Sequence, residues 1–166
     1  MNIDLSGKRA IVCGSTQGIG RATAQELAKA GAAITLVARN EEKLEEVLSG
    51  LHGEGHTCIV ADFASPDSLR TALTPYLEKY PINHILVNNT GGPAPGPIVD
   101  AQPEQFVDAF SRHLLCNHLL AQAVLPGMKE VQYGRIINVI STSVKQPLPN
   151  LGVSNTVRAA VAGWAK

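Results

Sequence analysis

The 166-residue chain has little cysteine and no net charge, and each shortage excludes something. Its three cysteines, Cys13, Cys58 and Cys116, are scattered, odd in number and set in apolar runs. That spacing excludes a disulfide framework and a zinc site, so no metal is expected, and it fits reduced, buried thiols. Lysine and arginine total 14, as do aspartate and glutamate, so nothing draws the chain to nucleic acid or an anionic membrane. No apolar run approaches the ~20 residues that span a bilayer. Met1 to Lys8 lacks the apolar stretch of a signal peptide, which with the reduced thiols points to the cytoplasm. Repeats, linkers and low-complexity stretches are absent too. What remains, 45% apolar and 17% charged, is the composition of one globular domain over residues 1–166.

Short apolar runs alternate with longer amphipathic segments. The runs are Arg9–Cys13, Ala33–Ala38, Thr57–Ala61, His84–Asn88 and Arg135–Ile140. Rich in Ile, Val and Leu, and without strict polar alternation, they suit strands buried on both faces of a parallel sheet. The segments between them read as helices. Gly31 ends the first; Asn40, before Glu41 and Glu42, caps the second. Ser65-Pro66-Asp67 starts the third, which Pro75 should kink or shorten. Gln102-Pro103-Glu104 starts a longer helix expected to reach about Met128, and Gly91 to Pro97 is a proline-ordered loop. The β-α-β-α order implies right-handed crossovers and an α/β fold: a Rossmann-type doubly wound parallel sheet in three α/β/α layers. Ligands bind such sheets beyond the carboxyl ends of the strands.

The first strand is followed by Gly14-Ser15-Thr16-Gln17-Gly18-Ile19-Gly20. A strand, a glycine turn and a helix start together make a pyrophosphate cradle, because bare backbone amides approach the phosphates without obstruction at Gly14 and Gly18, and Gly20 lets the helix pack closely. With Leu86-Val87-Asn88-Asn89-Thr90-Gly91, this turn resembles the short-chain dehydrogenase/reductase family. The resemblance implies a nicotinamide dinucleotide and assigns Asn89, Thr90 and Gly91 to its site. Asp62, before Phe63, matches the family's adenine-contacting aspartate. Gly134 to Ser141 looks like its fifth strand, ending in the catalytic serine. In the second strand, Ala38 stands where the family's NAD-preferring members carry Asp. Arg39 follows and suits a 2′-phosphate, so NADP is expected over NAD.

The family's catalytic pattern breaks further on. Tyr-x-x-x-Lys should lie about thirteen residues beyond Ser141; Ser154 and Arg158 stand there instead. Phe106 and Leu125-Pro126-Gly127-Met128 align His113 with the family's asparagine, while Asn117 lies one helical turn further on. A serine hydroxyl is a far weaker acid than a phenol, and Arg158 keeps its charge at any working pH. His113 is the nearest residue that titrates close to neutrality, set against a plain packing role. Relatives continue past Lys166 through further strands and a substrate loop, so the chain reads as lacking them and its fifth strand as an edge. Relatives also pair through their long helices, and Phe106, Phe110, Leu114 and Leu120 are expected to offer apolar surface for a homodimer or homotetramer. Two readings remain: an oxidoreductase acting on a small carbonyl or alcohol substrate, like a 3-oxoacyl reductase, or a dinucleotide-binding sensor or pseudoenzyme.

Overall fold

The computed structural model describes residues 3–166; Met1 and Asn2, the start of the segment read for a signal peptide, lie outside the described residues. The apolar runs form β1 (Arg9–Cys13), β2 (Ala33–Ala38), β3 (Thr57–Val60), β4 (Ile85–Asn88) and β5 (Arg135–Asn138). They pair in parallel in the order β3-β2-β1-β4-β5. The chain builds outward from β1 to β3, returns, and adds β4 and β5 on the other side. The reversal leaves a crevice above the carboxyl ends of β1 and β4.

A parallel sheet needs cover on both faces, and β1 shows how the sequence provides it. Ala10 and Val12 point into one core, Ile11 and Cys13 into the other, with the two-residue period of a strand. The first core is closed by α1 (Gly18–Lys29) through Ala24 and Ala28, and by α2 (Glu41–Ser49) through Leu44 and Val47. On the other face α3 (Pro66–Lys79) contributes Leu69, Leu73 and Tyr76. The layers are those expected.

Helix ends follow their residues. Gly31, at φ +96°, turns the chain beyond α1. Asn40 Oδ1 accepts from the Lys43 N–H at 2.8 Å and Ser65 Oγ from the Ser68 N–H at 3.2 Å. Pro75 does not shorten α3. It and Thr71, whose carbonyl loses its partner, both lie on the exposed face, where water replaces the missing bond.

The long helix is divided where the sequence suggested continuity. α4 (Pro103–Phe110) runs into a π turn (Ser111–Leu115), closed by the Cys116 N–H on the Ser111 carbonyl, and continues as α5 (Cys116–Glu130). The extra residue rephases the two halves. α5 adds Cys116, Leu120 and Val124 to the sheet core, while Ala109 of α4 meets Val153 and Val157 of α6 (Gly152–Ala165). Two residues expected to offer pairing surface are therefore used inside: Leu120 is wholly buried and Phe106 packs against the α4–α6 cluster. Val107, Phe110 and Leu115 are the exposed ones.

β5 is an edge strand, and Ile136 and Ile137 are 37% and 50% exposed. At the opposite ends of the strands, two histidines without a role in the sequence serve the sheet: His84 Nδ1 accepts from the Arg9 N–H at 3.0 Å and His56 Nδ1 from the Ile34 N–H at 2.9 Å. Cys13 and Cys116 are buried, Cys58 is half-buried, and burial pushes the Cys116 thiol up to about 12, which leaves it inert. No helix among the described residues is long and apolar enough to cross a membrane.

Candidate functional site

The turn after β1 holds Gly14 at φ +58° and Gly18 at φ +53°, the left-handed region that glycine enters freely. A Cβ on Gly14 would stand 2.7 Å from Asn89, whereas one on Gly18 would meet open space. Gly18 thus serves backbone conformation and leaves room in front of the turn. A Cβ on Gly20 would collide with the Gly14 carbonyl, so Gly20 lets the turn close on itself. α1 begins here, and its N-cap residue, Gln17, makes no side-chain cap bond. The first amides of α1 therefore have neither an intrahelical partner nor a cap, the arrangement that favours an anion at a helix start. Asn89, just past β4, donates from Nδ2 to the Cys13 and Gly14 carbonyls at 3.2 and 3.4 Å and ties the turn to the neighbouring strand.

An open cleft spans the strand ends beside this turn. Gly14, Thr16, Gln17, Gly18 and Ile19 line one wall, and Ile19 is 61% exposed. Arg39 extends the cleft past the end of β2, exposed to solvent. Asp62 and Phe63 lie beyond β3, with the Phe63 ring itself in the core. Asn89, Thr90 and Gly91 form the wall beyond β4. Ser15 is the exception within the glycine turn: it is fully buried, and its hydroxyl donates to the Val37 carbonyl at 3.4 Å. Its side chain faces β2, away from the cleft.

The π turn gives the cleft two consecutive residues, Arg112 and His113, which would point about 100° apart in a regular helix. His113 is 1% exposed. Burial, then the charges of Arg158 and Arg112, hold it down at about pH 4, against the weaker pull of the Gly91 backbone and Asp108. It is neutral at neutral pH. Asn117, one turn on, is buried in α5 and does not line the cleft, so His113 is the residue presented at this point. Arg112 escaped the sequence reading. The signal was its i+4 spacing from Asp108, to which its Nε donates at 2.9 and 2.8 Å.

Ser141 follows β5 and caps a short 3₁₀ turn (Thr142–Val144), accepting from the Ser143 N–H at 3.1 Å. A hydroxyl has one donor and two acceptor positions, so capping fixes Oγ and leaves its proton to donate. α6 carries Ser154 and, one turn on, Arg158. Arg158 Nη1 donates to the Val139 carbonyl at 2.8 Å, and Nη2 lies 3.8 Å from where a Cβ on Gly92 would stand. Burial lowers its pKa, and it has no acidic partner among the described residues. The four buried side-chain polar atoms without a partner among the described residues are Asn88 Oδ1, His113 Nε2, Ser143 Oγ and Arg158 Nε. They belong to the end of β4, the 3₁₀ turn after β5, the π turn and α6. An unpaired buried polar atom costs about 1–3 kcal/mol, so their grouping marks this corner as built for water or a polar ligand. Ser143, two residues past Ser141, went unnoticed in the sequence because nothing there separates it from a loop serine.

Residues 8–166 match the family model described as short chain dehydrogenase. A Streptomyces violaceoruber protein named as a granaticin polyketide synthase ketoacyl reductase is 35% identical over 161 residues, 95% of this chain and 59% of that one. Inactive hydroxysteroid dehydrogenase-like protein 1 of Homo sapiens is 34% identical over 158 residues, 92% of this chain and 48% of that one. Among solved structures, L-sorbose reductase from Gluconobacter frateurii, complexed with NADPH and L-sorbose, superposes with a TM-score of 0.90 at 30% identity, over 99% of this chain and 64% of that one. Across eight of its curated relatives the chain spans between 45% and 66% of their length.

Proposed function

The chain belongs to the short-chain dehydrogenase/reductase family, and on that premise we propose that it binds a nicotinamide dinucleotide, NADPH in preference to NADH, and transfers hydride between it and a small carbonyl compound or alcohol of the 3-oxoacyl type. The observation that carries this reading is the uncapped start of α1 beside the open space at Gly18. Those amides suit a pyrophosphate, and the cleft extends from them far enough to reach Arg39 on one side and His113 on the other. Ala38 in place of a carboxylate, and the exposed Arg39 without an acidic partner among the described residues, support NADPH. The L-sorbose reductase complex with NADPH supports it by similarity.

The bound nicotinamide supplies or accepts the hydride. Ser141 directs its hydroxyl proton to the carbonyl oxygen from a position fixed by the cap. Arg158 would hold the nicotinamide ribose hydroxyls with the N–H groups not given to Val139, and would supply a fixed positive charge to that end of the site. It neither gives nor takes a proton. His113, neutral and buried, is no standing acid at neutral pH; it accepts or donates one hydrogen bond at Nε2. The proton that balances the hydride would then come from water, with the Ser141 and Ser154 hydroxyls as the groups available to relay it. The exposed Val107, Phe110 and Leu115 support a homo-oligomer, and the chain's composition a cytoplasmic protein.

The test is NADPH oxidation against a panel of small ketones and 3-oxoacyl thioesters. Turnover is expected with at least one, and Ser141→Ala should reduce it about a hundredfold. Tight NADPH binding without turnover on any of them would leave a nucleotide-binding protein and remove the reductase reading.

A further inference from the structure

The amino ends of the strands, remote from the cleft, carry a cluster of cations that the cofactor reading does not use. Lys8 Nζ lies 4.4 Å from the centroid of the Tyr133 ring, and Arg135 Cζ lies 4.9 Å from the same centroid. Arg9 Cζ stands 4.0 Å from the centroid of Tyr80, and Lys79 Nζ 5.2 Å from it. Lys8 and Arg9 are consecutive, so two rings and four cations form one continuous patch. None of the four is paired with a carboxylate among the described residues. Glu54 is the one acid lining the shallow hollow beside Lys8, Arg9 and His84. Burial, then the charges of Lys8 and Arg9, hold the His84 imidazole below its usual value.

Like charges gathered on one face repel, and a chain of zero net charge has no general surplus to explain them. These cations are also held in place. Arg9 Nη1 donates to the Gly55 carbonyl at 3.1 Å and Arg135 Nη1 to the Gly134 carbonyl at 2.7 Å, while the rings carry the rest by cation–π attraction. Fixed, unneutralised cations are complementary to an anion from outside. The residue types and the breadth of the patch decide which anion. Tyrosine and arginine are the side chains that protein interfaces favour, and two of the chain's three tyrosines stand here. Arg9 and Arg135 begin β1 and β5, which have β4 between them and so lie about 10 Å apart. A single phosphate is too small to engage both ends. An extended acidic segment, whose side chains repeat on one side about every 7 Å, engages both. We infer that this face docks an extended acidic peptide segment of a partner protein, its carboxylates meeting Lys8, Arg9, Lys79 and Arg135. The segment lies at the opposite end of the sheet from the cleft, so docking is independent of the cofactor.

The test is fluorescence anisotropy on the full chain with a short labelled peptide of alternating glutamate and glycine, beside the same peptide with glutamine for glutamate. The acidic peptide should bind about tenfold tighter or more, and the preference should shrink as salt is added. Lys8→Gln combined with Arg135→Gln should weaken it about fivefold or more. Tyr133→Leu, which changes no charge, should weaken it about threefold, and Tyr133→Phe, which keeps the ring, should leave it unchanged. Lys43→Gln, at an exposed lysine of α2, should also leave it unchanged. Equal binding of the two peptides overturns the inference. So does an equal loss in Lys43→Gln and the double variant, which would report overall charge alone. Full affinity in Tyr133→Leu overturns it as well, because the rings would then have no part in setting the cations. Tighter binding of inorganic tripolyphosphate than of the acidic peptide replaces the peptide with a phosphate ligand and overturns it too. Thermal melting checks each variant for folding. Should Tyr133→Leu not fold, the double variant decides, and unchanged peptide affinity there overturns the inference.

Discussion

Asn89 holds the carbonyl of Gly14 from the neighbouring strand, 3.4 Å from its Nδ2, and also reaches Cys13 at 3.2 Å. One side chain thus sets the position of the turn on which the cleft depends. Asn89→Ala removes the side-chain donor to both carbonyls, which should cost about 1–3 kcal/mol. Urea denaturation reads the loss, and NADPH titration should show weaker binding in the folded variant. A variant as stable as the native chain would mean that water replaces the amide.

The glycines of the turn separate by physical cause. Gly18→Ala meets no atom but must hold φ near +53°, a strain of about 1–2 kcal/mol for a residue with a Cβ. Gly20→Ala drives a methyl into the Gly14 carbonyl and should shift the turn. The expected result is a modest loss of melting temperature for Gly18→Ala and a larger one for Gly20→Ala, on the scale of overpacking at about 1–3 kcal/mol or beyond. Equal melting temperatures would contradict the assignment.

His113 makes the protein acid-sensitive in a defined window. Its folded value is about 4, below the 6.5 of a free imidazole. Between those values the unfolded chain takes up a proton that the folded chain refuses, so stability is complete above pH 6.5 and falls as the pH drops toward 4. The full difference is about 3 kcal/mol. His113→Gln should flatten this part of the stability profile. Parallel profiles for native and variant protein would exclude His113 as the source.

Arg39→Asp replaces a cation with the carboxylate that suits a ribose diol. The ratio of NADPH to NADH affinity should fall about tenfold or more. An unchanged ratio would place the 2′-phosphate elsewhere and remove the argument for NADPH.

The inner strands were readable because burial on both faces leaves runs of Ile, Val and Leu; β5 carries such a run as well, although its Ile136 and Ile137 stand exposed at the sheet edge. Asn40 and Ser65 were readable as caps because their side chains replace a specific backbone partner. The π turn was not, since an i→i+5 bond needs no special residue and the apolar period is kept on either side of it. Its concealment hid Arg112 as well and made Leu120 look like surface. Pro75 misled for a related reason: its cost depends on whether water reaches the freed carbonyl, which only the packing decides. At the site, the glycine spacing declared the turn but not the orientation of Ser15, whose hydroxyl was free to choose between the cleft and Val37. The unpaired cluster at Asn88, Ser143, His113 and Arg158 joins four distant stretches of chain, and no local pattern brings them together.

Because the π turn carries one residue more than the helix on either side needs, that interval behaves like a gear tooth between α4 and α5. Deleting one residue from Ser111–Leu115 would let the stretch close as ordinary α-helix, with α4 and α5 keeping their places on either side. Ala109 would still meet Val153 and Val157, but Arg112 and His113 could not both face the same groove. The added residue thus serves the groove and not the packing, so a one-residue shortening should cost ligand affinity before it costs stability.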